Sequence, residues 1–140
     1  MEKVSTNQHF RMKHLTIVIL AVLLLSACQE SLEERCEREA REYTEKKCPA
    51  LIVKNVTIDS MAFDKSTHTM TYYYTLDGVL DDAKALKEHD LRGMLLKELK
   101  NSTQTQLYKE AGYNFRYVYF STKNNGTKLF EATFHKKDYQ

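Results

Sequence analysis

The longest apolar run of the chain, LTIVILAVLLLSA from Leu15 to Ala27, limits it more than any other feature. It holds 13 residues, interrupted only by Thr16 and Ser26, whereas a helix needs about 20 apolar residues to cross the hydrocarbon core of a bilayer. The run is too short to span. Lys3, Arg11 and Lys13 precede it against Glu2 alone, which is the basic start and apolar middle of a secretory signal.

Leu25-Ser26-Ala27-Cys28 resembles the lipobox of bacterial lipoproteins. The resemblance implies cleavage between Ala27 and Cys28 and attachment of a lipid to the Cys28 sulfur, the nucleophilic group at that point. Residues 1–27 are then a removed signal peptide, 28–30 a lipidated terminus with a short tether, and 31–140 one domain of modest core. Each buried methylene of an acyl chain contributes about 0.8 kcal/mol, so acylation converts the membrane question from spanning to anchoring. The expected location is the bacterial cell envelope, with the membrane a partner through Cys28. The whole chain carries 21 basic and 19 acidic residues. Three basic residues and one acidic residue leave with the signal, so 18 of each remain and the net charge falls to zero. Nothing in that balance points to nucleic acid as a partner.

QESLEERCEREAREYTEKKCP follows, dense in charge and without glycine. Leu32, Cys36, Ala40 and Tyr43 fall on one narrow face, and Glu34/Arg38, Glu37/Arg41 and Glu42/Lys46 are opposite charges at i, i+4, so a helix ending at Pro49 is expected. Its stripe suits packing on a sheet or, at greater length, on another chain. If the helix is continuous, Cys36 and Cys48 lie roughly 18 Å apart, beyond disulfide reach. Free thiols, a bridge between molecules, or a helix that begins after Cys36 are the possible outcomes.

Beyond Pro49 the period becomes two. Val56 and Ile58 share a face against Thr57 and Asp59, and Met70, Tyr72, Tyr74 and Leu76 share one against Thr69, Thr71, Tyr73 and Thr75. Two strands joined by DKST form an antiparallel hairpin. LDDAKALKEHDLRGMLLKELKNSTQ then reads as a second helix, weakened at Gly93 and with a break allowed near His89 and Asp90. A short helix over TQTQLYKEA follows, capped by Gly112. YNFRYVYFS and TKLFEATF alternate again around Asn125-Gly126, a strong two-residue hairpin signal. The expected fold is α+β, in the order helix-strand-strand-helix-strand-strand. Its two helices lie on one face of a four-stranded, mainly antiparallel sheet. Similar element orders occur in PepSY-like and β-lactamase-inhibitor-like domains, an analogy of fold that carries no activity. Cys48-Pro49, Tyr72 to Leu76, Phe115 to Tyr119 and Asp138-Tyr139 make the chain similar to small bacterial envelope lipoproteins and secreted proteins, a resemblance that implies the fold and compartment and no activity.

No cluster of residues spells out a reaction. His68, His89 and His135 lie on different elements with no metal-binding spacing among them, although His68 and His135 meet if the hairpin ends converge. No serine lies in a G-x-S-x-G elbow, Cys36 and Cys48 lack a local histidine base, and Asp81-Asp82 read as the charged start of a helix. No catalytic residue, metal site or cofactor is assigned. The nine tyrosines are the unusual resource. Tyr73, opposite the more apolar side of its strand, is the candidate interaction surface. Two functions follow: a non-enzymatic interaction protein, with an envelope protein as partner, or a small-ligand or glycan-binding lipoprotein using exposed tyrosines. A flat exposed aromatic patch favours the first, and a concave tyrosine-lined pocket with converging polar groups the second.

Overall fold

The computed structural model describes residues 30–140. Ala27 and Cys28, the expected cleavage and lipidation positions, lie outside the described residues. The folded unit, Leu32–Gln140, contains helices α1 (Leu32–Lys47), α2 (Ala83–Glu88), α3 (Leu91–Asn101), α4 (Gln106–Glu110) and α5 (Lys136–Tyr139), a 3₁₀ turn at Gly78–Leu80, and strands β1 (Ala50–Val53), β2 (Val56–Asp64), β3 (Thr69–Leu76), β4 (Asn114–Ser121) and β5 (Lys128–Phe134). The class is α+β, with one mixed sheet in the order β1-β2-β3-β4-β5. Pairs β1/β2, β2/β3 and β4/β5 are antiparallel and β3/β4 is parallel.

Five strands replace the expected four. The segment read as one strand, LIVKNVTIDSMAF, folds back on itself at Lys54-Asn55, where Asn55 takes φ +69°. Asparagine tolerates that left-handed conformation, so a two-residue turn forms without glycine. The second expected helix is two. Asp90, at φ +48°, ends α2 and starts α3, and its Oδ1 accepts from the Gly93 N–H at 3.2 Å. A Cβ at Gly93 would lie 2.2 Å from Asp90 Oδ2, so this glycine seats the cap. Of the paired acids, Asp82 caps α2 by accepting from Lys84 N–H at 2.7 Å. Asp81 is instead buried and accepts from Lys123 N–H in the β4–β5 loop at 2.8 Å. Asn125 and Gly126 both take positive φ as expected, but within a loop spanning 122–127 rather than a two-residue turn. The short α5 was not anticipated.

Helix α1 is continuous through Cys36, and both Cys36 and Cys48 are free thiols. Glu33 and Glu34 open it and Lys46 and Lys47 close it, each sign matching the dipole end it occupies. Glu42 takes both Arg38 (3.4 Å) and Lys46 (2.8 Å), whereas Glu37 reaches Lys65 in the β2–β3 loop at 2.6 Å. Cys36 and Ala40 are buried on the expected stripe. The helix is also bonded to the sheet. Strand β1 pairs with β2 only as far as Ile58, leaving the rest of β2 as an edge. Thr44 Oγ1 accepts from Met61 N–H at 2.8 Å and donates to Met61 C=O at 2.9 Å, supplying both partners that a missing strand would have given.

Side chains of Val56, Ile58, Met61 and Phe63 on β2 share the helix-covered face with Met70, Tyr72, Tyr74 and Leu76 on β3 and Phe115, Tyr117 and Tyr119 on β4. Phe115 and Phe134 are fully buried there. The opposite face carries Thr71, Tyr73, Thr75, Arg116, Val118 and Phe120. Among the described residues one lysine is buried: Lys109 on α4 donates to the C=O groups of Leu99 (2.9 Å) and Lys100 (2.8 Å), satisfying the last turn of α3.

Three outcomes follow from this packing. Thr44→Val should lower stability by roughly 2 kcal/mol, because both Met61 backbone groups lose their partner while the side-chain volume is kept; an unchanged urea midpoint would contradict it. Tyr72→Ser and Tyr74→Ser should each cost roughly 2–4 kcal/mol and Tyr73→Ser much less, an order that thermal unfolding of the three variants reads directly. Burial, helped by the negative charge of Glu39, pushes the Cys36 thiol up to about 12, from an ordinary value of about 8.5. The folded state therefore holds this proton more tightly. The associated stability is full below about pH 8.5 and is lost as pH rises toward 12. Cys36→Ala should flatten that part of the alkaline urea-midpoint profile.

Candidate functional site

Helix α1 lies over β2, and α2 and α5 lie over β5. Between them the middle of the sheet is open, as a groove of about 380 Å³. Its floor is Ile58, Met61, Met70, Tyr72, Tyr74 and Tyr117; Glu39 and Tyr43 of α1 form one wall, and Glu98 and Leu99 of α3 with Ser102, Gln104, Thr105 and Tyr108 form the other. Ile52 of β1 stands at the margin, half exposed. The apolar character comes from strand residues that alternate toward the helices, and the polar character from the ends of α3 and α4.

The floor is built of stacked rings. Parallel pairing sets Tyr72 beside Tyr117 and Tyr74 beside Tyr119, with ring centroids 5.0 and 4.7 Å apart and planes within 15° and 12°. Burial pushes all four phenols well above the ordinary tyrosine range, and the Glu98 carboxylate adds to the effect at Tyr74, Tyr117 and Tyr119. They remain neutral hydroxyls at any physiological pH. None of the four hydroxyls has a hydrogen-bond partner among the described residues. By contrast, Tyr108 donates to Glu39 Oε2 at 2.5 Å and Tyr139 to the Tyr113 C=O at 2.7 Å. Glu39 also accepts from Arg35 Nε at 2.7 Å. Burial raises the Glu39 carboxyl, but the hydrogen bonds from Tyr108 and Arg35 outweigh it and hold the group below its usual range.

The residues singled out in the sequence are mostly elsewhere. Tyr73 is half-buried on the outer face, stacked on Phe120 at 6.5 Å, away from the groove. His68 faces Glu33 at 3.4 Å, and His135 Nδ1 is 2.8 Å from Asn114 Oδ1. The hairpin ends do converge there, since Asn114 N–H donates to the His68 C=O, but no group of three metal-ligating side chains forms among the described residues. His89 is exposed at the end of α2. Among the described residues no helix is long and apolar enough to cross a membrane. Sequence reasoning missed Glu39, Glu98, Gln104 and Thr105, which come from separate elements. One signal was present: Tyr72, Tyr74, Tyr117 and Tyr119 all alternate onto the helix side.

No curated protein matches the chain. Two solved structures share its fold. One is a presumed secreted protein from Pseudomonas aeruginosa, 14% identical with a TM-score of 0.65, covering 78% of this chain and 93% of its own. The other is the pilotin of the Vibrio vulnificus type 2 secretion system, 10% identical with a TM-score of 0.59, covering 78% and 92%. The family model of a domain of unknown function, DUF8479, matches residues 31–130, and the chain belongs to that family.

Proposed function

We propose that this chain is a lipid-anchored, non-enzymatic interaction protein of the bacterial cell envelope. It is tethered through Cys28 after loss of residues 1–27, and it holds a segment of an envelope protein in the groove between α1 and α3. The observation that carries this reading is the open, apolar floor with Ile52 exposed at one margin and Met94 exposed beside Glu98 in the adjoining depression. Apolar surface continues past the concavity at both places, which suits a chain segment lying across it. The pilotin fold supports the setting, because that relative is itself a component of a secretion system.

The hydroxyls of Tyr72, Tyr74 and Tyr117, which line the groove without protein partners, favour a second reading, a small ligand or glycan held in the same concavity. The two differ in reach. A small ligand held on Tyr72 and Tyr117 leaves Met94 in water, whereas a docked segment covers it.

Cys28→Ala should abolish fatty-acid labelling and release the protein from the membrane fraction; labelled mutant protein would refute the anchor. For the groove, a photo-crosslinking residue at Ile52 should capture an envelope protein in cells, the Gln104→Trp variant should block that adduct by filling the wall, and the same probe at Phe120 on the outer face should not form it. Adducts from Phe120 alone would place the interaction on the outer face and overturn the groove assignment.

A further inference from the structure

Only two ionisable side chains other than tyrosine line the groove, Glu39 and Glu98. They are not equivalent. The two carboxylate oxygens of Glu39 are taken by Arg35 Nε and Tyr108 Oη, and the adjacent guanidinium balances its charge. Glu98 lies one turn before Ser102 on the wall of α3, exposed, and its carboxylate makes no hydrogen bond or ion pair among the described residues. Lys97 lines the adjoining depression and not the groove, as expected of consecutive helical residues, which point in different directions. The groove thus presents one uncompensated negative charge and no positive one. Resting on the docking role proposed above, we infer that the groove selects a segment carrying a lysine or arginine, whose cationic head is received by Glu98 and the hydroxyls of Tyr74 and Tyr117.

The hydrogen-bonding inventory favours this occupant. An ammonium brings three donors and a guanidinium five, with no acceptor on either. The Glu98 carboxylate and the phenolic oxygens beside it have free lone pairs, and charge-assisted bonds are the stronger kind. Ionisation of the phenols is suppressed chiefly by burial and further by Glu98 at Tyr74 and Tyr117, which places the carboxylate within electrostatic reach of the hydroxyls. A carboxylate on the partner would meet Glu98 with like charge. A segment with only apolar side chains would leave Glu98 facing it unpaired. The aliphatic stem of lysine or arginine fits the same surface, because it can lie along the stacked rings while its head stays at the wetter wall.

The test uses the full chain purified in detergent and a fluorescein-labelled synthetic peptide with leucine and phenylalanine on one side and a single central lysine. Two sister peptides replace the lysine by norleucine or glutamate. Wild type should bind the lysine peptide about tenfold more tightly than the norleucine peptide and the glutamate peptide least, with the preference shrinking as salt is raised. Glu98→Gln should cost the lysine peptide about tenfold and leave the norleucine peptide unchanged. Equal affinity of wild type for the lysine and norleucine peptides overturns the inference while leaving the docking role intact. Equal loss of both peptides in Glu98→Gln overturns it also, since Glu98 would then act on the groove's shape. Failure of all three peptides to compete with the Ile52 adduct defeats the docking role and the charge preference together.

Discussion

The parallel pairing of β3 with β4 is the constraint from which the rest of the architecture follows. It sets Tyr72 against Tyr117 and Tyr74 against Tyr119 across one register, so the centre of the sheet is paved with paired rings, each pair adding roughly 0.5–1.5 kcal/mol beyond its area. Parallel strands also require a crossover. That crossover, from Asp77 to Tyr113, contains α2, α3 and α4, and it brings α3 opposite α1 across the same face. The tyrosine floor and the wall that carries Glu98 are therefore two results of one topological choice. Antiparallel pairing of β3 with β4 would alter the ring partners and the return path together.

Much of the fold is legible in the chain because its signals are local. The α1 stripe of Leu32, Cys36 and Ala40, the Asp64 turn that accepts from Ser66 N–H at 2.9 Å and Thr67 Oγ1 at 2.9 Å, and the alternation through Tyr72 to Tyr74 each depend on neighbours within a few residues. The extra strand was hidden because an unbroken run of β-favouring residues does not reveal a turn made by Asn55 without glycine. Gly93 was misleading for a similar reason: its backbone N–H bonds to a side chain three residues earlier, so a residue that weakens most helices here completes a cap. The groove was not legible. Glu39 and Tyr108, 69 positions apart and joined at 2.5 Å, meet only through the crossover, and no local pattern encodes such a meeting.

The sheet's two faces also differ in how polar groups are treated. On the outer face Arg116 donates to Thr71 Oγ1 at 3.2 Å and approaches Glu131 at 4.0 Å, an ordinary arrangement in which polar atoms find each other along the strands. Tyr73 and Phe120 add a small aromatic contact to it. On the inner face the phenols stack ring to ring, and their hydroxyls are left to whatever enters the groove. A buried hydroxyl without a partner costs roughly 1–3 kcal/mol, a cost that the hydroxyls of Tyr72, Tyr74 and Tyr117 escape where the open groove admits water or a ligand. The helices cover this face incompletely because complete cover would strand those groups.

Thr44 has a mechanical consequence. Tension applied to the chain at Ser31 enters the domain at the start of α1, and the contacts that hold α1 down are spread along its length: Glu37 to Lys65, Glu39 to Tyr108, and the paired bonds of Thr44 with Met61. A pull along the helix axis loads these together, in shear, whereas a pull across it would open them one after another from Leu32. The domain's resistance to force then depends on the direction of pull, and the two-bond tie of Thr44 is the one farthest from the point where the force arrives.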